Sequence, residues 1–284
     1  MIFEHTGPRR QQGPLAGAAG WCCRIAPALL VMGSCMVLIT GANGQIARGV
    51  IPFLEKEFDL QLLDCHWPVH DRRRLEVDIL DLQALAKAMA GCGAVLHLAV
   101  ASGRSGIEED DAHNDLRFDI NVKGTQHVFE AARRAGVKRI VHISSLMVVW
   151  GYGAKCLVAG DAPPRPVGTY ALTKALAENI ARHYGEKHGM EVIILRIAAP
   201  LDIFDPNLNG KSVRPQQVPF PDLAQAFAKA LRVPLNGNPI VTIVGECSQR
   251  TWDLEPARRI LGYEPLYRLD DLGVRLVDPF TLDS

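Results

Sequence analysis

The chain has 284 residues, 48% apolar and 22% charged, the composition of a globular protein with one large α/β domain or two small ones. Its formal net charge of +0 leaves no global electrostatic case for binding nucleic acid or an anionic membrane, and no apolar run is long enough to span a bilayer. Seven cysteines, none in a Cys-x-x-Cys pair, read as reduced thiols of a cytoplasmic protein.

Residues 1–35 differ from the rest. Gly7-Pro8-Arg9-Arg10-Gln11-Gln12-Gly13-Pro14 is polar and rich in breakers. The expectation is a disordered tail or an over-extended start, with the domain beginning at Met36. The competing reading is an export signal with Arg9-Arg10 as a twin arginine and Ile25 to Met32 as its apolar core. Cleavage there would leave no spacer before the first strand.

Met36-Val37-Leu38-Ile39 reads as a buried strand, and Thr40-Gly41-Ala42-Asn43-Gly44-Gln45-Ile46-Ala47 as a tight turn opening a helix. Gly41 and Gly44 carry no Cβ, so backbone N–H groups can approach a pyrophosphate closely. The helix start adds unpaired donors and a positive dipole end. A helix over Gln45 to Lys56 is expected, interrupted by Pro52. Asp59 to Leu63 reads as the second strand, ending on Asp64. That acid is placed to accept from adenosine ribose hydroxyls, which favours NAD over NADP. Arg72-Arg73-Arg74 could neutralise a 2′-phosphate, although a solvated loop is the plainer reading. Cys65-His66-Trp67-Pro68-Val69-His70 lacks a third and fourth ligand at a convincing spacing, so no metal is expected.

Leu75 to Asp78 reads as a short third strand. Asp78 would accept from the adenine amino group or cap the helix Leu80 to Met89, a task for which Asp81 competes. Ala94 to Ala99 is a fourth buried strand, ending at the crevice where open parallel sheets bind ligands. A polar loop, 101–111, precedes a long helix, Ala112 to Ala135. Val137 to Ile143 forms a fifth strand ending in Ser144-Ser145. Alternation at this spacing means a doubly wound parallel sheet, the Rossmann fold. Right-handed crossovers place Gly41, Asp64, Ala99 and Ser145 along one edge.

Pro163-Pro164-Arg165-Pro166 leads rigidly into a helix carrying Tyr170 and Lys174. Four residues apart, the two share a face. An ammonium near the phenol would favour the phenolate and lower a pKa that is normally about 10. Such a tyrosine can take a proton from a substrate alcohol as hydride leaves. Ser145 could hold the same oxygen, and Lys174 could also bond the nicotinamide ribose.

These residues resemble the extended short-chain dehydrogenase/reductase family, the NAD-dependent epimerase/dehydratase group. The resemblance is carried by Thr40-Gly41-x-x-Gly44-x-x-Ala47, Asp64, Asp78, His97-Leu98-Ala99, Asn121, Ser144-Ser145 and Tyr170-x-x-x-Lys174. Leu195-Arg196, Pro221-Asp222-Leu223-Ala224 and Leu261-Gly262-Tyr263-Glu264-Pro265 extend it to about Leu272. It implies Ser145, Tyr170 and Lys174 as a catalytic triad, with Ser144 the alternative serine and Asn121 a helper that shapes its helix around a water. It also implies NAD held by Gly41, Asn43, Gly44, Gln45, Ile46, Asp64, Asp78, Ile79, Leu98, Ala99, Val100, Tyr170 and Lys174. A homodimer is implied through the helices of Asn121 and Tyr170, with Ala171, Ala175 and Ala177 permitting close approach.

The departures narrow the chemistry. Leu146-Met147 stands where the family's dehydratases have Asp-Glu, so the groups for water elimination are missing. The aromatic-glycine pair falls one residue late, at Trp150-Gly151, and Ile197 replaces a usual proline. Only residues 197–220 lie between the sixth strand and the helix at Pro221. This resembles the compact uronate dehydrogenases, which oxidise a hexuronate at its anomeric carbon, though their asparagine-histidine pair after the serines is missing here. Arg104, Arg196 and Arg214 are candidates to meet a carboxylate.

The expected architecture is therefore a Rossmann domain over 36–196, with a later strand near 240–244, and a small C-terminal substrate-binding lobe in 197–284. The expected function is NAD-dependent hydride transfer to or from a small sugar, sugar acid or other secondary alcohol. The rivals are a redox-neutral epimerase with tightly held NAD and a non-catalytic NAD(P)-binding regulator.

Overall fold

A computed structural model of the chain describes residues 36–69, 71–102, 110–153 and 157–278; the tail expected at 1–35 lies outside them. The first half runs β1 (Val37–Thr40), α1 (Gln45–Leu54), β2 (Leu60–Asp64), β3 (Arg74–Glu76), α2 (Leu82–Ala88), β4 (Ala94–His97), α3 (Asp111–Arg117), a π-helical turn (Phe118–Gly124), α4 (Thr125–Ala135) and β5 (Arg139–Ser145). After a 3₁₀ segment come α5 (Gly168–His188), β6 (Glu191–Ile197), the two-residue strands β7 (Pro200–Leu201), β8 (Ser212–Val213) and β9 (Val218–Pro219), then α6 (Phe220–Arg232), β10 (Ile240–Ile243), α7 (Glu255–Leu261) and β11 (Arg275–Leu276).

Seven strands pair in the order β10-β6-β5-β4-β1-β2-β3, every pair parallel. Both faces are covered, so the strands read as unbroken apolar runs. Val37 and Ile39 pack with Ala47, Val50 and Leu54 of α1 and Phe227 of α6. Leu38 points the other way, into Leu85, Val128 and Tyr184 of α2, α4 and α5. This period-2 split of one short strand gives a three-layer molecule. The winding reverses between β1 and β4, and the crevice at their C-terminal ends is where such sheets bind ligands.

Several expectations change in detail. Pro52 does not interrupt α1, which runs on to Leu54. The proline falls in the last turn, where its missing N–H removes one helical bond. Asp81 wins the cap of α2, accepting from the N–H groups of Gln83 and Ala84, both at 3.0 Å. Asp78 instead accepts from Leu80 N at 2.9 Å, in a turn of its own. The long helix expected over 112–135 is interrupted by the π-helical turn around Asn121.

The chain after Ile197 does two things. α6 and β10 return to the main sheet, while β7 with β9 and β8 with β11 make two small ladders. Leu201, Leu208, Val213, Cys247 and Leu269 form a separate apolar cluster beside them.

Candidate active site

The first part of the site is the turn after β1. Gly41 has φ +68°, and a Cβ there would lie 2.6 Å from Ala99 Cα, so neither the backbone angle nor the space admits a side chain. Gly44 caps α1 with extended backbone, without a side-chain cap and without an acid in the first turn. The first-turn N–H groups therefore face the crevice unfilled by the protein, an arrangement that fits a dinucleotide pyrophosphate. Ala47 is buried and holds α1 close to the sheet. At the end of β2 the Asp64 carboxylate accepts from Asn43 N at 2.9 Å and His66 N at 3.4 Å. Asn43 Nδ2 donates to His66 O at 3.1 Å. These bonds fix the turn and the acid against each other.

A cavity of about 450 Å³ runs from Gly41, Gly44, Gln45, Ile46 and Ala47, past Leu98 and Val100, to Ser145, Tyr170 and Lys174. Trp150, Met147, Pro200, Arg214, Gln216 and Gln217 make its other wall. Asn43, Asp64, Asp78, Ile79, Ala99 and Asn121 are not part of the wall. Asp64 and Asp78 stand at the β2–β3 side of the sheet, where an adenosine would extend from the turn. Ile79 is buried against Gly124, whose added Cβ would meet it at 2.5 Å.

Tyr170 and Lys174 lie one turn apart on α5, opposite the end of β5. The two serines there have different partners. Ser144 Oγ turns inward and donates to Glu178 Oε1 at 2.6 Å. Ser145 lines the cavity, as Ser144 also does, and accepts from Met147 N at 3.2 Å. Lys174 Nζ donates to Ile143 O at 2.7 Å. Burial lowers the lysine to about 8, and Glu178 acts in the opposite direction.

The electrostatics of Tyr170 differ from the sequence expectation. Its pKa is raised, because burial outweighs the downward pull of the Ser145 hydrogen bond and of a cation. That cation is Arg117 of α3, not Lys174. Arg117 is fully buried and donates to Asn114 Oδ1 at 2.8 Å and Ser102 O at 3.2 Å. Sequence reasoning passed over it, since one arginine in a polar helix start looks like a solvated residue. Its place four residues before Asn121 was the available signal.

Asn121 does not touch the cavity. Its amide clamps Ala101, accepting from the N–H at 2.8 Å and donating to the carbonyl at 3.0 Å, and donates to Thr173 Oγ1 at 3.0 Å. Arg196 is not placed to meet a substrate: it is fully buried and bidentate to Glu178, at 2.9 and 2.7 Å. Arg104 lies outside the described residues. Arg214 lines the cavity.

A doubly wound sheet with an uncapped glycine turn, facing a tyrosine–lysine helix across one crevice, defines a Rossmann-fold enzyme built to hold a dinucleotide. Residues 37–212 match the model of the NAD dependent epimerase/dehydratase family. The chain belongs to that family, and its cofactor is NAD.

Among curated proteins, it is 29% identical over 234 residues to the uronate dehydrogenase of Pseudomonas syringae pv. tomato, covering 81% of each chain. It is 26% identical over 254 residues to the L-arabinose 1-dehydrogenase (NAD(P)(+)) of Haloferax volcanii, covering 81% of this chain and 95% of that one. Among solved structures, a tyrosine-to-alanine mutant of the uronate dehydrogenase from Agrobacterium tumefaciens, complexed with NAD, superposes with a TM-score of 0.71. That match has 26% identity and covers 83% of this chain and 86% of the other.

Proposed function

We propose that the protein is an NAD-dependent dehydrogenase that oxidises a secondary alcohol, or the anomeric hydroxyl, of a small sugar acid. The observation that carries this reading is that Ser145, Tyr170 and Lys174 line one cavity continuous with the glycine turn. The dehydrogenase names of the relatives support the reaction class, and Arg214 in the cavity wall supports an acidic substrate.

The turn residues Gly41, Gly44, Gln45 and Ile46 would hold the pyrophosphate, Asp64 the adenosine ribose, and Leu98 and Val100 the path between. NAD, when bound, supplies the hydride acceptor. Ser145 Oγ holds the substrate oxygen beside the phenol. Tyr170 Oη takes the hydroxyl proton as the C–H bond breaks. Arg117 supplies positive charge toward that phenol, and Lys174 bonds the nicotinamide ribose. Asn121 holds Ala101 and Thr173 in place, which fixes α5 against the loop after β4. Leu146 is buried and Met147 lines the cavity, so no acid–base pair for water elimination stands there.

Exposed Leu116 and Phe118, before and within the π turn, and Leu172 on α5 support a homodimer through these two helices. Ala171, Ala175 and Ala177 instead face the protein interior. Cys65 and Cys247 are free thiols, which supports a cytoplasmic setting. Among the described residues no helix is long and apolar enough to cross a membrane.

The test is turnover of a sugar-acid panel by wild type and Tyr170→Phe. The reading expects a substrate whose oxidation is lost in the variant; equal rates in the two proteins would contradict it.

A further inference from the structure

Besides Tyr170, the cavity wall among the described residues holds one aromatic side chain, Trp150, in the 3₁₀ segment Leu146–Tyr152. Its indole stacks on that of Trp252, with ring centroids 6.1 Å apart and planes 20° from parallel. Trp252 is buried. The chain around it is fixed by Val158, whose N donates to Thr251 O at 3.1 Å and whose O accepts from Asp253 N at 3.0 Å. One face of the Trp150 ring is therefore covered by the protein's own core.

The segment carrying Trp150 is held from behind as well. Gly151 N donates to Arg165 O at 3.0 Å, and Arg165 N donates to Val148 O at 2.8 Å. A Cβ at Gly151 would lie 2.6 Å from Arg165 O, so glycine is what lets the two segments lie this close. The Arg165 guanidinium covers the Tyr152 ring, 5.5 Å from its centroid, and Val148 and Val149 are fully buried. The indole thus has its place set before a ligand enters, and little side-chain freedom remains to be lost on binding.

The same wall offers Met147 and Pro200, and then Arg214 and Gln216. An aromatic ring beside a cation and an amide suits a ligand with an apolar face and a polar edge. A cyclic sugar has that shape. Its axial C–H bonds make a face apolar, while its hydroxyls, and in a sugar acid its carboxylate, lie around the rim. A wholly apolar ring system would bring nothing for the guanidinium and the amide to bond. An open-chain hydroxy acid would present no flat face to the indole.

We propose that Trp150 is a specificity-determining residue: the ring face turned from Trp252 stacks on the apolar face of a cyclic sugar acid and selects it over open-chain acids. The proposal rests on the sugar-acid dehydrogenase reading for its ligand class, but its test needs no turnover.

Binding is measured by calorimetry on protein saturated with NADH, which cannot accept hydride. Glucuronate and galacturonate serve as cyclic acids and gluconate as the open-chain acid. Trp150→Leu is expected to weaken the cyclic acids about tenfold and to leave gluconate and NADH nearly unchanged. Trp150→Phe, which keeps an aromatic face, is expected to recover most of the affinity. A purely structural role would weaken NADH and all three acids together. Saturation-transfer NMR of the cyclic acids on wild type, expected to be strongest at the ring C–H protons of one face, gives a readout for which no variant has to fold. The proposal is overturned if Trp150→Leu binds the cyclic acids as wild type does, if it weakens all the acids alike, or if wild type binds neither cyclic acid. Turnover is scored separately. NADH production by wild type but not by Tyr170→Phe sustains the dehydrogenase reading even where Trp150 proves idle. A ring-selective loss of binding without turnover by wild type removes that reading and leaves the stacking platform standing.

Discussion

Tyr170 shows how burial and charge compete at a single side chain. The spacing of Tyr170 and Lys174 was readable in the sequence, because a separation of four puts two side chains on one helical face whatever surrounds them. The direction of the phenol's shift was not, because desolvation depends on what packs above the ring, and here it wins. Since the base form is the phenolate, oxidation should accelerate as pH rises from about 6 to about 8, and the reverse reduction should slow. Initial rates in both directions check this. Tyr170→Phe should lower kcat by about 10²–10⁴-fold while binding NAD with little change, as read by calorimetry. The sequence favoured Ser145 over Ser144; what it did not show is that the Ser144 hydroxyl bonds Glu178, a partner set by tertiary packing. At Gly41, Ala would need φ +68° and would drive its Cβ to 2.6 Å from Ala99 Cα. Gly41→Ala should abolish NAD binding, or folding itself, in a calorimetric titration paired with a thermal melt.

Elements were more legible than their ends and irregularities. Strands buried on both faces announce themselves as apolar runs, so β1, β2, β4 and β5 stood out. Val77 and Asp78 looked like strand but fall outside β3, because after Val77 N bonds Asp64 O at 2.9 Å the chain turns through Asp78. The π turn left no periodic trace, since it follows from where the Asn121 amide finds its partners. Helix α6 carries a further consequence. Asp222 is fully buried, accepts from Leu266 N at 2.7 Å, and its Oδ2 has no hydrogen-bond partner. Burial raises its pKa from 3.8 to about 6. A folded-state pKa above the unfolded value means a stabilising contribution that is whole below about pH 4 and lost as pH rises through about 6. Two units correspond to about 3 kcal/mol. Asp222→Asn keeps the acceptor for Leu266 N and removes the charge. Its stability relative to wild type should therefore rise by about 2–3 kcal/mol between about pH 4 and about pH 8 in urea unfolding. An equal difference at both pH values would contradict the buried-charge account.

At the scale of the molecule, the doubly wound architecture was legible because alternating strands and helices admit few topologies. The chain after Ile197 was legible only as a remainder, since its two-residue strands are set by long-range pairing, such as Leu276 beside Val213, rather than by local pattern. The apolar residues left exposed on α3, the π turn and α5 belong to this scale too. Light scattering at micromolar protein should give a dimer mass, and Leu172→Glu/Phe118→Glu should give a monomer; a monomeric wild type would remove the dimer proposal.

The central claim is an NAD-dependent dehydrogenase, and its most direct measurement is calorimetric titration of the purified protein with NAD and with NADP, followed by a sugar-acid panel read by NADH absorbance. The account predicts binding of NAD in clear preference to NADP, set by Asp64, and NADH production with at least one acidic sugar. A folded protein, free of retained nucleotide, that binds neither dinucleotide would contradict it.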